Sequence, residues 1–173
     1  MERTNIPLDG AKLNALRLFD EWLLLAAGDF AAKAYNAMTI SWGSLGTIWN
    51  RPFVQVVVRP TRYTYQFMEG ADTFTVMAFP DQFRPALDLL GSKSGRDGDK
   101  IAESGLTPTA STRVAAPSFA EAELVLECRK SYFDDLEPGH FLAEYIHKMY
   151  RNDYHRVYFG EIVAIQGTEK YRG

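Results

Sequence analysis

The chain breaks into short apolar runs separated by glycine, proline and polar residues, a pitch that suits strands better than long helices. Trp22–Ala27 is continuously apolar and stops at Gly28-Asp29. It predicts a buried strand, with a helix as the alternative because the run does not alternate. Tyr35–Trp42 predicts a second strand, with Gly43 and Gly46 marking the loop after it. Phe53–Arg59 predicts a third: four of its seven residues are valine, and Pro52 and Pro60 bracket it. Thr61 then stands as an N-cap for a short helix from Arg62 to about Glu69.

Thr73–Phe79 predicts the next strand. Pro80-Asp81 opens a helix that tolerates Pro85 in its first turn and ends at Gly91. Gly91–Lys100 is a polar glycine loop, followed by a short helix over Lys100–Glu103 closed by Gly105. In Glu121–Arg129, Ala122, Leu124, Leu126 and Cys128 point one way and Glu121, Glu123 and Glu127 the other, which predicts a half-buried antiparallel strand. Phe141–Met149 reads as helical and Tyr154–Gln166 as a long closing strand. Residues 1–18 read as an irregular arm with a helical turn near Ala11–Leu18. Many strands with short helices between them favour a mainly β fold, a barrel with helical decorations, over a doubly wound sheet. With no repeat or low-complexity linker, residues 1–173 are read as one domain.

Composition narrows the function classes. A net charge of −3 gives no basic excess for nucleic acid. No apolar run is long enough to span a bilayer, and the N-terminus lacks a signal pattern, so the expectation is a soluble cytoplasmic protein with no membrane partner. Cys128 is the lone cysteine, which excludes an intrachain disulfide. Its place on the apolar face of its strand predicts an inert thiol. His140, His147 and His155 are spaced seven and eight apart, not as a tight ligand set, so no metal site is expected.

Chemistry concentrates where the valine-rich strand ends. Arg59 offers a guanidinium for paired bonds to phosphate oxygens. Thr61 and Thr64 add hydroxyls, Tyr63 a phenol, and the helix start adds backbone amides. The competing reading is a capped surface helix with Arg59 paired to a carboxylate. In the glycine loop, Ser92, Lys93, Ser94 and Lys100 are suitable anion donors, although the Walker order is missing and a solvated turn explains the loop as well. Gly43 and Gly46 suit either the close approach of a ring or a plain hairpin turn. Trp42 and Trp49 suit either stacking on a ligand or filling a seam.

Taken together and in order, Asn36-Ala-Met-Thr-Ile-Ser-Trp-Gly-Ser-Leu-Gly, Trp49-Asn-Arg-Pro, Arg59-Pro-Thr-Arg-Tyr-Thr, Ser94-Gly-Arg-Asp-Gly-Asp-Lys and His155-Arg-Val-Tyr-Phe-Gly-Glu-Ile resemble the flavin reductase-like family of FMN-binding split barrels, which includes flavoredoxin. The resemblance runs from about Trp22 to Val163. It implies a homodimer of Greek-key split β-barrels with FMN near the dimer interface. It sets Asn36, Met38 and Thr39 along the isoalloxazine, continued by Ser41, Trp42 and Gly43, with Arg59, Thr61, Tyr63 and Thr64 at the phosphate and Ser94 and Lys100 closing the site. His155 would lie near the flavin or the nicotinamide, or else be a histidine bonded to backbone at a strand start.

The resemblance also implies NAD(P)H-dependent reduction of flavin by hydride transfer. The chain has no Gly-x-Gly-x-x-Gly after a strand, so the nicotinamide of NADH or NADPH would stack in the flavin cleft. Two other functions share the same cradle: a flavoredoxin-like electron carrier serving a redox protein partner, and a cofactor-free binding module.

Overall fold

The computed structural model describes residues 2–173. In chain order the elements are β1 Thr4–Ile6, β2 Leu23–Asp29, β3 Ala34–Ile40, β4 Gly43–Ile48, β5 Arg51–Val58, α1 Thr64–Gly70, β6 Thr73–Ala78, α2 Arg84–Ser92, α3 Lys100–Ser104, β7 Pro108–Thr109, β8 Ser118–Phe119, β9 Leu124–Asp135, α4 Glu144–His147 and β10 Arg156–Gly167. One antiparallel sheet runs β3-β2-β6-β9-β10-β5-β4, with β1 beside the far half of β10; β7 and β8 form a separate pair. The two ends of this path, β3 and β4, are consecutive in the chain and joined only by Ser41-Trp42. The sheet therefore curls until its edges approach, but β3 and β4 do not pair. This is a mainly β, split-barrel architecture with short helices, as the sequence predicts.

The continuous apolar run of β2 is a strand because both of its faces are buried. Leu23, Leu25 and Ala27 enter the barrel core with Val56, Phe74, Leu126 and Tyr158. Leu24 and Ala26 face a second core with Met77 and Val125, roofed by Leu87 and Leu90 of α2 and Ile101 of α3. Alternation with period two sends one strand into two cores.

Several elements differ from expectation for identifiable reasons. Gly43 and Gly46 lie within β4, not in a loop; the turn is Trp49-Asn50, both with positive φ (50° and 57°), between the paired residues Ile48 and Arg51. Two residues in that conformation match the twist of a tight hairpin. The first half of β9 is buried on both faces, not one. Glu127 is fully buried and accepts bonds from Thr112 N, Thr112 Oγ1 and Arg113 N, so a carboxylate read as solvent-facing anchors the loop that follows β7. In the N-terminal arm, Thr4–Ile6 pairs with β10, the helical turn expected near Ala11–Leu18 forms where Arg17 N and Leu18 N both donate to the Asn14 carbonyl, and a 3-10 turn follows at Leu18–Glu21. The helix expected over Phe141–Met149 shrinks to Glu144–His147. Gly91 does not end α2, which runs on to Ser92. Burial raises the thiol of Cys128 well above its usual range, consistent with an inert side chain. No helix among the described residues is long and apolar enough to cross a membrane.

Candidate functional site

The predicted residues collect around two neighbouring clefts at the open seam of the sheet. The smaller, about 200 Å³, is lined by Met38, Thr39, Ser41, Trp42, Arg59 and His155. It sits where the chain leaves β3 and crosses to β4. Arg59 and His155 meet there because Val58 pairs with Arg156, so the residues just beyond the ladder face each other. The larger, about 1060 Å³, is lined by Asn36, Tyr63, Gly95, Gly98 and Lys100, among others. β3 therefore serves both clefts.

Strand alternation sorts the β3 residues. Met38 points into the barrel core, whereas the Thr39 hydroxyl donates to the Leu87 carbonyl under α2. A flat ligand laid along β3 at Thr39 would meet backbone, not that hydroxyl. Gly43 lines neither cleft. A Cβ there would lie 2.2 Å from the Phe19 ring and 2.5 Å from the Gln55 carbonyl, so the ring it admits is one of the chain's own.

Arg59 has a carboxylate partner: it pairs with Asp153, donates to the Met149 carbonyl at 3.0 Å and lies 5.1 Å from the centre of the Tyr150 ring. This is the ion-pair arrangement the sequence also allowed. Residues 149–153 are thereby held against the smaller cleft. His155 is buried, with Nδ1 2.9 Å from the Tyr150 hydroxyl and its ring 5.3 Å from Trp42. Burial and then the Arg59 charge lower its pKa to about 4, partly offset by Asp153. The imidazole is therefore neutral at pH 7 and acts as a hydrogen-bonding group, not a cation.

That shift carries a stability consequence. In the unfolded chain the imidazole takes up a proton near pH 6.5, whereas in the fold it resists until about pH 4. Protons thus favour the unfolded chain across that window, and stability falls as pH drops from about 6.5 to about 4. His155→Gln is expected to show a shallower loss of melting temperature over the same range. Parallel profiles for the two proteins would contradict the assignment.

The larger cleft holds a different balance of charge. Lys100 is buried at 3% exposure, and its Nζ donates to the Leu90 carbonyl at 2.7 Å. Burial and the nearby Arg62 charge lower its pKa to about 8. Arg62 is half-buried, donates to the Gly91 carbonyl, and is itself lowered by burial and by Arg59. Arg96 reaches the Thr61 carbonyl at 3.2 Å and lies 5.0 Å from the centre of the Tyr63 ring. None of Lys100, Arg62 and Arg96 has a carboxylate partner among the described residues. Asp99 also lines this cleft, but its Oδ1 accepts from Ala102 N and it pairs with none of the three. Cations held together without a paired carboxylate are costly, and an entering dianion relieves that cost.

The corner is tightly fitted. A Cβ on Gly95 would meet the Tyr63 ring at 2.6 Å and Asn36 Oδ1 at 2.8 Å, so only glycine lets the loop seat here. Thr64 is buried behind Tyr63 and accepts from Asn36 Nδ2 at 2.8 Å; it braces β3 against α1. Thr61 offers its carbonyl to Arg96, and the Ser94 hydroxyl accepts from Arg96 N within the loop. Thr61 is not a cap: α1 starts at Thr64 without a side-chain cap, and its seven residues leave little dipole to offer. Sequence reasoning missed Arg62 and Arg96, although both stand inside quoted motifs. Their signal is a second arginine three positions after Arg59 and another between the loop glycines.

Compared with protein families, residues 22–172 match the flavin reductase like domain. A comparison with curated proteins finds no match. Among solved structures, the chain resembles flavoredoxin of Desulfovibrio vulgaris (Miyazaki F) at 23% identity, covering 86% of this chain and 70% of that one with a TM-score of 0.66. Flavoredoxin from Methanosarcina acetivorans aligns at 23% identity over 96% and 73%, TM-score 0.66. An FMN-binding domain of a flavin reductases-like enzyme from Shewanella baltica OS155 aligns at 16% identity over 96% and 77%, TM-score 0.66. At these identities the structural likeness speaks to the fold.

Proposed function

Because the chain belongs to the flavin reductase-like family, we propose that it is an FMN-binding oxidoreductase that reduces flavin with NADH or NADPH. The observation that carries the reading is the corner of Lys100, Arg62 and Arg96, which lacks a carboxylate partner among the described residues and lies beside the Gly95 contact. Its donor chemistry fits a phosphate dianion. In this reading Lys100, Arg62, Arg96 and Tyr63 hold the phosphate with the loop around Ser94. Asn36, Met38 and Thr39 carry the ring along β3, and Ser41 and Trp42 bound its far side.

When bound, FMN supplies a ring that takes up a hydride or single electrons. The chain's own groups bind, orient and exclude water. Arg59 and Asp153 fix the 149–153 segment beside the ring, and neutral His155 presents a polar edge without adding charge. The nicotinamide enters the same seam, since no separate dinucleotide fold accompanies it. A homodimer would cover the exposed aromatics Trp49 and Tyr132, whose rings meet edge-on on one face of the sheet. The lone buried thiol suits the reducing cytoplasm.

The likeness to flavoredoxins favours a second reading, an electron carrier for a redox protein partner. Anaerobic mixing of the FMN-loaded protein with NADH and with NADPH separates the two. Bleaching of the bound flavin within seconds is expected for the reductase. Bleaching by neither, with FMN bound, points to the carrier. No flavin binding even near ~1 mM, the range of very weak affinity, leaves only the cofactor-free module.

A further inference from the structure

The histidine of the smaller cleft has one ring nitrogen engaged and one free. His155 Nδ1 lies 2.9 Å from the Tyr150 hydroxyl, whereas Nε2 has no hydrogen-bond partner among the described residues. The Trp42 ring lies 5.3 Å from the imidazole, and Tyr150 stands edge-on to it at 5.5 Å. Tyr150 is itself clamped. Arg59 lies over its ring, pairs with Asp153 three residues on, and donates to the carbonyl of the preceding Met149. Phe141 stacks on the Tyr150 ring at 5.7 Å with the planes nearly parallel. A largely exposed segment between β9 and β10 is thus fastened at the side chain that bonds His155.

The direction of that bond sets what the cleft offers. A phenol donates strongly and accepts weakly, because its oxygen lone pair is shared with the ring. An unprotonated imidazole nitrogen is a strong acceptor. The Tyr150 hydroxyl has no other hydrogen-bond partner among the described residues, so its proton points to Nδ1. The single proton of the neutral imidazole then sits on Nε2. We propose that Tyr150 is a positioning residue: it fixes His155 as the Nε2–H tautomer and makes the smaller cleft a donor site, selective for a ring that presents a carbonyl oxygen there. Arg59 acts one step further back, because holding residues 149–153 holds Tyr150. The reaction this serves rests on the FMN reading above, whereas the tautomer rests on the chain alone.

Nitrogen-15 NMR of the imidazole, through two-bond correlations at pH 7, reads the tautomer directly. Flavin-free wild-type protein should show His155 protonated on Nε2. Tyr150→Phe, which keeps the ring stacked on Phe141, should shift the Nδ1 resonance and admit the second tautomer. A proton on Nδ1 in wild type, or an unaltered His155 pattern in Tyr150→Phe, overturns the proposal. In FMN-loaded Tyr150→Phe the limiting rate of flavin bleaching by NADH or NADPH should fall about three- to tenfold, the loss of one orienting hydrogen bond. The dissociation constant for FMN, set at the other cleft, should stay within about twofold. His155→Gln carries an amide donor that needs no tyrosine to hold its proton. In that background Tyr150→Phe should change the rate less than about twofold. Equal losses in both backgrounds would make Tyr150 a mere support for the segment and overturn the proposal. Wild-type protein that binds no FMN, or is bleached by neither nucleotide, refutes the parent reading instead, and the nitrogen spectra then decide by themselves.

Discussion

Lys100→Met is expected to weaken FMN binding while stabilising the FMN-free fold. The ammonium is buried, held by the Leu90 carbonyl and set near Arg62 without an anion, so its charged form is costly in the empty corner. Methionine fills much the same volume without charge. Exchanges of buried charge for apolar isosteres are neutral or stabilising, and about 1–2 kcal/mol is expected here, less what the unpaired Leu90 carbonyl gives back. With FMN present the sign reverses. A charge-assisted bond to phosphate contributes about 2–3 kcal/mol, so FMN should bind roughly 30- to 150-fold more weakly, and riboflavin less than about threefold. The same residue sets a pH dependence. Above about pH 8 the free ammonium loses its proton, binding must restore it, and FMN affinity should fall by up to about tenfold per pH unit. The variant should be flat over that range. Equal loss of FMN and riboflavin would remove Lys100 from the phosphate, as would an unchanged pH profile.

Gly43→Ala is expected to be the most damaging single methyl in the seam. The added carbon would stand 2.2 Å and 2.4 Å from two atoms of the Phe19 ring and 2.5 Å from a main-chain oxygen of β5, which cannot move without breaking the ladder. Overpacking costs about 1–3 kcal/mol, and two rigid neighbours place this change near the top of that range. For a chain of this length that is a fall in melting temperature of roughly 6–12 °C. Adding Phe19→Leu should recover part of the loss by vacating the ring edge. A variant that melts like wild type but binds flavin poorly would mean that Gly43 meets the cofactor and not Phe19.

The two residues show which kind of information each position required. Gly43 is marked in the sequence as a place where something comes close. That the visitor is Phe19, 24 positions upstream, depends on β4 folding back over the 3-10 turn at Leu18–Glu21. Arg59 was legible as a strand-end cation, but its partner Asp153 lies 94 positions away and is brought in by the pairing of β5 with β10. Glu127 read as a surface carboxylate because alternation alone assumes one wet face; a second layer and a strapping loop buried it.

The sequence by itself determined the strands, their mainly β assembly and the ordered motifs that carry the family likeness, because apolar periodicity and turn residues act over a few neighbouring positions. Tertiary structure decided the electrostatics of the site. Whether a cation is neutralised depends on carboxylates far along the chain: among the described residues Arg59 received one, while Arg62, Arg96 and Lys100 did not. No local pattern records that difference, which is set by the order in which the strands pair and by the seam left where β3 and β4 fail to join.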